Sequence, residues 1–280
     1  MPNDGVILAK CNAAPNHENV SVYSAWITRG LRYSRHCGDG ARLRRCTILS
    51  AVRSRAEDQP YRCEGYRLDD VRNGGTWRHE GVPYYSQWGS ADWVAPIVER
   101  GADPCEDPHW RASGFTEADA YRFWAKRLCG LTCLESALDY WGVAHAPRAQ
   151  MLEEALQHGV YRVREDGGVD GLIYRPFAGW VEAAFGVHVE VMIDEDIAAS
   201  AARVDADTLA IVSVSPEIRY PERENPGQGG HLILLHGRGD GGVWFHNPSG
   251  VAPYQADVWL PYETVARFHA RRGMAIRRPR

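Results

Sequence analysis

Three apolar runs near the C-terminal end, each bounded by turn chemistry, constrain this chain most. "TLAIVSVS" (208–215) is β-branched and apolar, "GHLILLHGR" (230–238) follows a "PGQGG" turn, and "GGVWFHNPSG" (241–250) overlaps "GDGG". Runs of this length between Gly, Pro, Asp and Asn clusters read as strands, and the close spacing of the last two reads as a hairpin. "VHVEVMI" (187–193) alternates as a further strand. The expectation is an antiparallel sheet, with a hairpin centre near residues 239–240 that sets His231 opposite Asn247. "LPYETVARFHARRG" (260–273) is expected to close with a short helix, and "RRGMAIRRPR" (271–280) reads as a solvated basic tail.

Upstream the period changes. In "RLCGLTCLESALDYWG" (127–142), Leu131, Leu134, Leu138 and Trp141 fall on one helical face, and Gly142 is placed to end it. "RAQMLEEALQHG" (148–159) and "RPFAGWVEAAFG" (175–186) read as helices with terminal Gly159 and Gly186. "GFTEADAYRFWAKRL" (114–128) reads as another, with Thr116 as N-cap and Asp119 completing an acidic capping box. Helices first and an antiparallel sheet second make an α+β fold. Residues 1–75 form a poorly defined N-terminal extension, loosely ordered or peripheral, with some strand character in "VSVYSAWITRGLRYS" (20–34); residues 76–280 form the folded domain.

Composition narrows the function. The 280 residues are 44% hydrophobic and 24% charged with net charge −4, which suits a globular core and argues against general binding to nucleic acid or anionic membranes. Lys10 and Lys126 are the only lysines, a bias that reads as GC-rich coding. No apolar run reaches eighteen residues and the N-terminus lacks a signal-peptide core. The seven cysteines show neither disulfide spacing nor a CxxC pair. The expectation is a cytoplasmic chain with free thiols and no metal or other cofactor.

Cys129 stands at a helix start, where the dipole and unpaired N–H groups favour thiolate, and Gly130 permits close approach. Cys133, one turn on, is assigned to packing. Two rival readings make both cysteines small buried residues, or metal ligands with a histidine. A nucleophilic thiol needs a base, and His231 opens a strand after two glycines; His236 should face the other way. Asn247 could accept His231 Nδ1–H and leave Nε2 toward the thiol, although Asn-Pro-Ser-Gly is also ordinary turn chemistry. Gln87 and the Cys129 N–H are candidate oxyanion donors. Asp194 and Asp196 are alternative third residues. "GGVDG" and "PGQGGH" lack the lysine and the strand–helix context of a phosphate loop.

Gln in "VPYYSQ", Cys-Gly at a helix start, Gly-His at a strand start and Asn-Pro after the next strand stand in a telling order. Residues 80–270 resemble the papain-like peptidases related to the bacteriocin-processing (double-glycine leader) family. The resemblance implies a papain-like fold, with the nucleophile helix packed on the antiparallel sheet. It implies a stand-alone bacterial cysteine peptidase acting on a peptide or acyl substrate through a thioester. By the same resemblance Cys129 is the nucleophile, His231 the base, Asn247 the orienting residue and Gln87 part of the oxyanion hole. Two departures matter. Asn247 stands where Asp is frequent in the family, and the aromatic-rich insertion 88–126 separates Gln87 from Cys129, as a lid or a specificity wall. Rival functions are a papain-fold acyltransferase and a non-catalytic peptide-binding protein.

Overall fold

The computed structural model describes residues 8–10, 64–66 and 75–280. The chain divides into two compact units, Met1–Asp70 and Val71–Arg280. In the first, strands β1 (Leu8–Lys10) and β2 (Glu64–Tyr66) pair antiparallel. The strand expected at 20–34 lies outside the described residues.

The second unit is built on a seven-stranded antiparallel sheet. Its strands are β3 (Trp77–Arg78), β6 (His188–Ile193), β7 (Thr208–Val214), β8 (His231–Gly239), β9 (Gly242–His246), β10 (Val258–Pro261) and β11 (His269–Arg277). The order is β10-β9-β8-β7-β11-β6, with β3 pairing β8. A separate ribbon joins β4 (Arg162–Val163) to β5 (Val169–Asp170).

Alternation along the strands feeds two cores. Leu209, Ile211, Leu232, Leu234, Met274 and Ile276 belong to a core shared with the helices that precede and follow the Cys-Gly stretch. Ala210, Val212, Ile233, Leu235 and Ala275 belong to a second core with two short helices, α6 (Ile197–Ala202) and α7 (Tyr262–Ala266). The central strand β7 is buried at every residue because both faces are covered.

The helices of the first core are α3 (Cys129–Tyr140), α4 (Arg148–Gln157) and α5 (Tyr174–Phe185), preceded by α1 (Val94–Arg100) and α2 (Ala118–Trp124). Leu131, Leu134 and Leu138 of α3 are fully buried, so its apolar stripe faces the sheet as its spacing predicts. Gly142 and Gly186 follow α3 and α5 with φ of 67° at each, a left-handed turn that glycine makes without steric cost. The mixed layout of helices and antiparallel sheet agrees with the sequence reading.

Several details differ. The tail 271–280 is not a free solvated end: its first part belongs to β11, which runs between β7 and β6, and Met274 and Ile276 are fully buried while the arginines beside them stay exposed. Arginines flank that short apolar run and mask it, and only pairing on both edges makes it a strand. Helix α2 begins after Glu117 with no side-chain cap, so Thr116 does not form the expected box. The insertion 88–126 is not a lid. It folds into α1, α2 and short 3-10 turns, and Trp88, Val94, Trp110, Phe115 and Tyr121 join the first core. The hairpin centre also moves. Leu234 pairs with His246 and Gly239 with Gly242, with an irregularity at His236, so Asn247 lies beyond the ladder rather than opposite His231. The displacement comes from the turn itself: the Gly239–Gly242 pair centres the hairpin between Asp240 and Gly241, and the extra residue at His236 recovers only one place of it. Among the described residues no helix is long and apolar enough to cross a membrane.

Candidate active site

The start of α3 is docked onto the start of β8 through one residue, Leu232. Cys133 Sγ donates to the carbonyl of Leu232 at 3.7 Å, while the Leu232 N–H faces the Cys129 thiol. Gly130 sits between them for a packing reason. A Cβ there would meet Leu172 Cδ1 at 2.4 Å and Leu232 Cδ1 at 2.8 Å. The glycine therefore lets helix and strand approach each other, a tighter constraint than the substrate access expected from sequence.

Cys129 retains some exposed surface and lines a cleft of about 800 Å³ that His231 also lines. Its thiol is pushed up to about 11, chiefly by burial, against the opposing pull of the N–H groups of Leu232, Gly130 and Cys129 itself. The helix start was expected to lower this value. Desolvation of the anion outweighs the N–H groups in this state. Burial raises Cys133 as well.

His231 pairs with Val214 across the sheet, and Gly229 and Gly230, at φ 84° and 91°, turn the chain into the strand before it. The ring is buried. Its Nε2–H donates to Asn247 Oδ1 at 2.8 Å. The Ser249 N–H donates to the same oxygen at 3.2 Å, which fixes the amide orientation and hence the imidazole tautomer. The ring thus stands the other way round from the expectation: Nε2, not Nδ1, meets Asn247, and Nδ1 carries the free lone pair. The thiol and the ring are not hydrogen-bonded to each other in this state; the ring's partners are Asn247 and Ser249.

Ser249 and Arg219 were not legible in the sequence. Ser249 Oγ lies 3.1 Å from His231 Nε2 and accepts from Arg219 Nη2 at 3.1 Å. Burial lowers His231 to about 4, the Asn247 hydrogen bond opposes this, and the Arg219 charge adds to the lowering. The serine of "NPSG" reads in sequence as turn chemistry alone. Arg219 carries no local signal, since it reaches the site from the 3-10 turn Pro216–Arg219 after β7.

Gln87 is brought close to both halves despite the long insertion. Its N–H donates to Pro248 O at 2.9 Å, and its side-chain Nε2 donates to Ala125 O at 3.1 Å. Its Oε1 is buried without a partner, and Gln87 does not line the cleft. Asp194 is paired with Arg271 at 2.9 Å and Asp196 caps α6, so neither alternative carboxylate lines the cleft.

One group elsewhere has metal-ligand chemistry. His236, His246 and Asp257 bring ligand atoms within 4.8 Å of one another. His246 already uses both nitrogens, toward Val82 O at 2.9 Å and the Asp257 N–H at 3.0 Å, and Asp257 pairs with Arg78 at 3.0 Å. The cluster is therefore largely satisfied by the protein itself, with only the His236 nitrogens lacking a hydrogen bond. It does not include Cys129 or Cys133.

No family model matches the chain. The curated proteins also yield no match. Among solved structures the chain is similar to one from Bacillus anthracis described as a C39-like peptidase, at 12% identity and a TM-score of 0.40, over 55% of this chain and 90% of that one.

Proposed function

We propose that the chain is a cysteine-dependent amide hydrolase, a peptidase of papain-like fold, with Cys129 as nucleophile, His231 as base and Asn247 as orienting residue. One observation carries this reading: the His231 Nε2–H···Oδ1 Asn247 bond of 2.8 Å, with Oδ1 held by the Ser249 N–H. That arrangement frees Nδ1 as a base beside a cleft that also exposes a helix-start cysteine.

With the thiol near 11 and the imidazole near 4, the resting pair is neutral thiol and neutral imidazole. The thiol proton passes to Nδ1 as Sγ attacks the carbonyl carbon, rather than before substrate arrives. The first-turn N–H of Cys129 has no intrahelical acceptor and can hold the oxyanion. Gln87 Nε2 keeps a second N–H beyond the one given to Ala125, but the residue stands behind the cleft lining, so the Cys129 N–H carries the oxyanion role in this reading. The protonated ring then gives its proton to the leaving amine, and the acyl group stays on sulfur as a thioester. Water, activated by Nδ1, releases the acid; an amine in place of water would make the same site an acyltransferase.

An active-site-directed peptidyl acyloxymethyl ketone tests this. Mass spectrometry should find the adduct on Cys129 and not on Cys105 or Cys133, and His231→Ala should abolish it. Peptide turnover that survives Cys129→Ala would overturn the reading, and release of an amide rather than an acid in the presence of amines would assign acyl transfer.

A further inference from the structure

The walls of the cleft are unevenly charged. Lys126, Arg127, Arg175 and Arg272 line it, and no Asp or Glu does. Yet the whole chain carries 36 acidic against 32 basic residues. Arginines elsewhere are mostly spent on carboxylates: Arg122 on Asp103, Arg148 on Glu135, Arg203 on Glu190 and Glu195, Arg278 on Asp207. Among the described residues Lys126, Arg175 and Arg272 have no such ion pair, and all three are exposed.

Neighbours in sequence make the contrast sharp. Arg271 turns away to Asp194, at 2.9 Å. Arg272, the next residue, faces the cleft, and its guanidinium reaches the Tyr174 hydroxyl, which also meets Ser213. Its Nη2 lies 3.3 Å from where a Cβ on Gly229 would stand, so it overhangs the glycine turn that leads into His231. Tyr174 and Ser213, both uncharged, share that wall, so the cation at the mouth of the site is not neutralised there. Cations lining a concave surface with apolar walls focus their field on whatever enters, and Val169, Leu172, Ile173 and Val191 supply such walls. An arginine fork suits a planar carboxylate.

We propose that this cleft selects substrates bearing a carboxylate near the scissile bond, with Arg272 as the specificity-determining cation and Arg175 and Lys126 as auxiliary charges. The inference rests on the peptidase reading for its catalytic arm alone. The carboxylate is either an acidic side chain or the free C-terminus of a short peptide, and the two sources separate in the test.

The experiment compares matched peptides with Glu or Gln scanned through the three positions on each side of the cleaved bond, each made with a C-terminal acid and with a C-terminal amide. Turnover by the full chain is measured at low and high salt. Binding of the same peptides to the Cys129→Ala variant is followed by fluorescence anisotropy, a readout that needs no chemistry. The expected result is a preference of about tenfold for the carboxylate at one position, as for a charge-assisted hydrogen bond, weakened by salt. Arg272→Gln should remove most of it and Arg272→Glu should turn it toward a lysine peptide, while Arg271→Gln leaves it intact. A Glu preference independent of the terminus assigns the side chain, and an acid-over-amide preference assigns the C-terminus. Equal use of all peptides, with turnover retained, would overturn the carboxylate inference and leave the peptidase reading standing. Carboxylate-selective binding without any turnover would do the reverse.

Discussion

Cys133 Sγ meets the carbonyl oxygen of Leu232 at 3.7 Å, and that contact ties the helix that opens with Cys129 to the strand that opens with His231. The sulfur is fully buried one turn below Cys129. Cys133 thus acts as a fastener between two elements about a hundred residues apart, as well as filling space.

Cys133→Ala should lower stability by about 1 kcal/mol, for a lost weak hydrogen bond and a small void. Catalytic efficiency should fall more than that change in folded fraction accounts for, because the Cys129–His231 geometry loosens. Urea unfolding alongside kcat/KM checks both, and unchanged kinetics would show that the fastener is dispensable.

The state of the thiol has a direct chemical signature. Burial holds Cys129 up at about 11, so simple alkylation with iodoacetamide should be slow at neutral pH and climb throughout the alkaline range. Rate constants by mass spectrometry between pH 5 and 10 measure it. A plateau already reached below pH 7 would mean a preformed thiolate–imidazolium pair instead.

Arg219 reaches His231 through Ser249. In the proposed mechanism a neutral His231 is the active form, so activity should be present above its pKa and lost as pH falls through about 4. Removing the nearby positive charge in Arg219→Gln makes the imidazolium easier to form, and the acid limb of kcat/KM moves to higher pH. Asn247→Asp should move it the same way by placing a negative charge on Nε2–H. An acid limb that stays fixed in both variants would assign it to another group.

Gly130→Ala should be costly. The added methyl meets Leu172 and Leu232 below 3 Å on both sides, so about 1–3 kcal/mol of overpacking is expected, despite the better helix propensity of alanine. Thermal unfolding tests this, and a Leu172→Ala second substitution should recover part of the loss if the clash is the cause.

Much of this was legible in the sequence because local rules and tertiary needs agreed. Leu131, Leu134 and Leu138 spell their helix, and Gly142 and Gly186 mark where helices stop. The three C-terminal apolar runs spell strands. The failures have physical causes. Met274 and Ile276 sit among arginines that face solvent, so the strand exists only through its two neighbours. The hairpin turns at Asp240–Gly241, beyond the centre that the spacing suggests, and that moves the position opposite His231 past Asn247. The pull of the helix start on Cys129 was read correctly in direction, but burial depends on the packed fold and proved larger. Arg219 acts from a distant turn, and no spacing could have nominated it.

The position of β11 has a kinetic meaning. Among the described residues strand β6 has β11 as its sole sheet neighbour, and β6 supplies Val191 and Ile193 to the cleft wall. One side of the cleft must therefore wait for β11 to insert between two strands that precede it in the chain. Long-range strand insertion of this kind is slow to pay back its loop-closure entropy. Folding and assembly of the cleft should then be one event, so that a chain lacking only β11 would lose the channel wall along with its core.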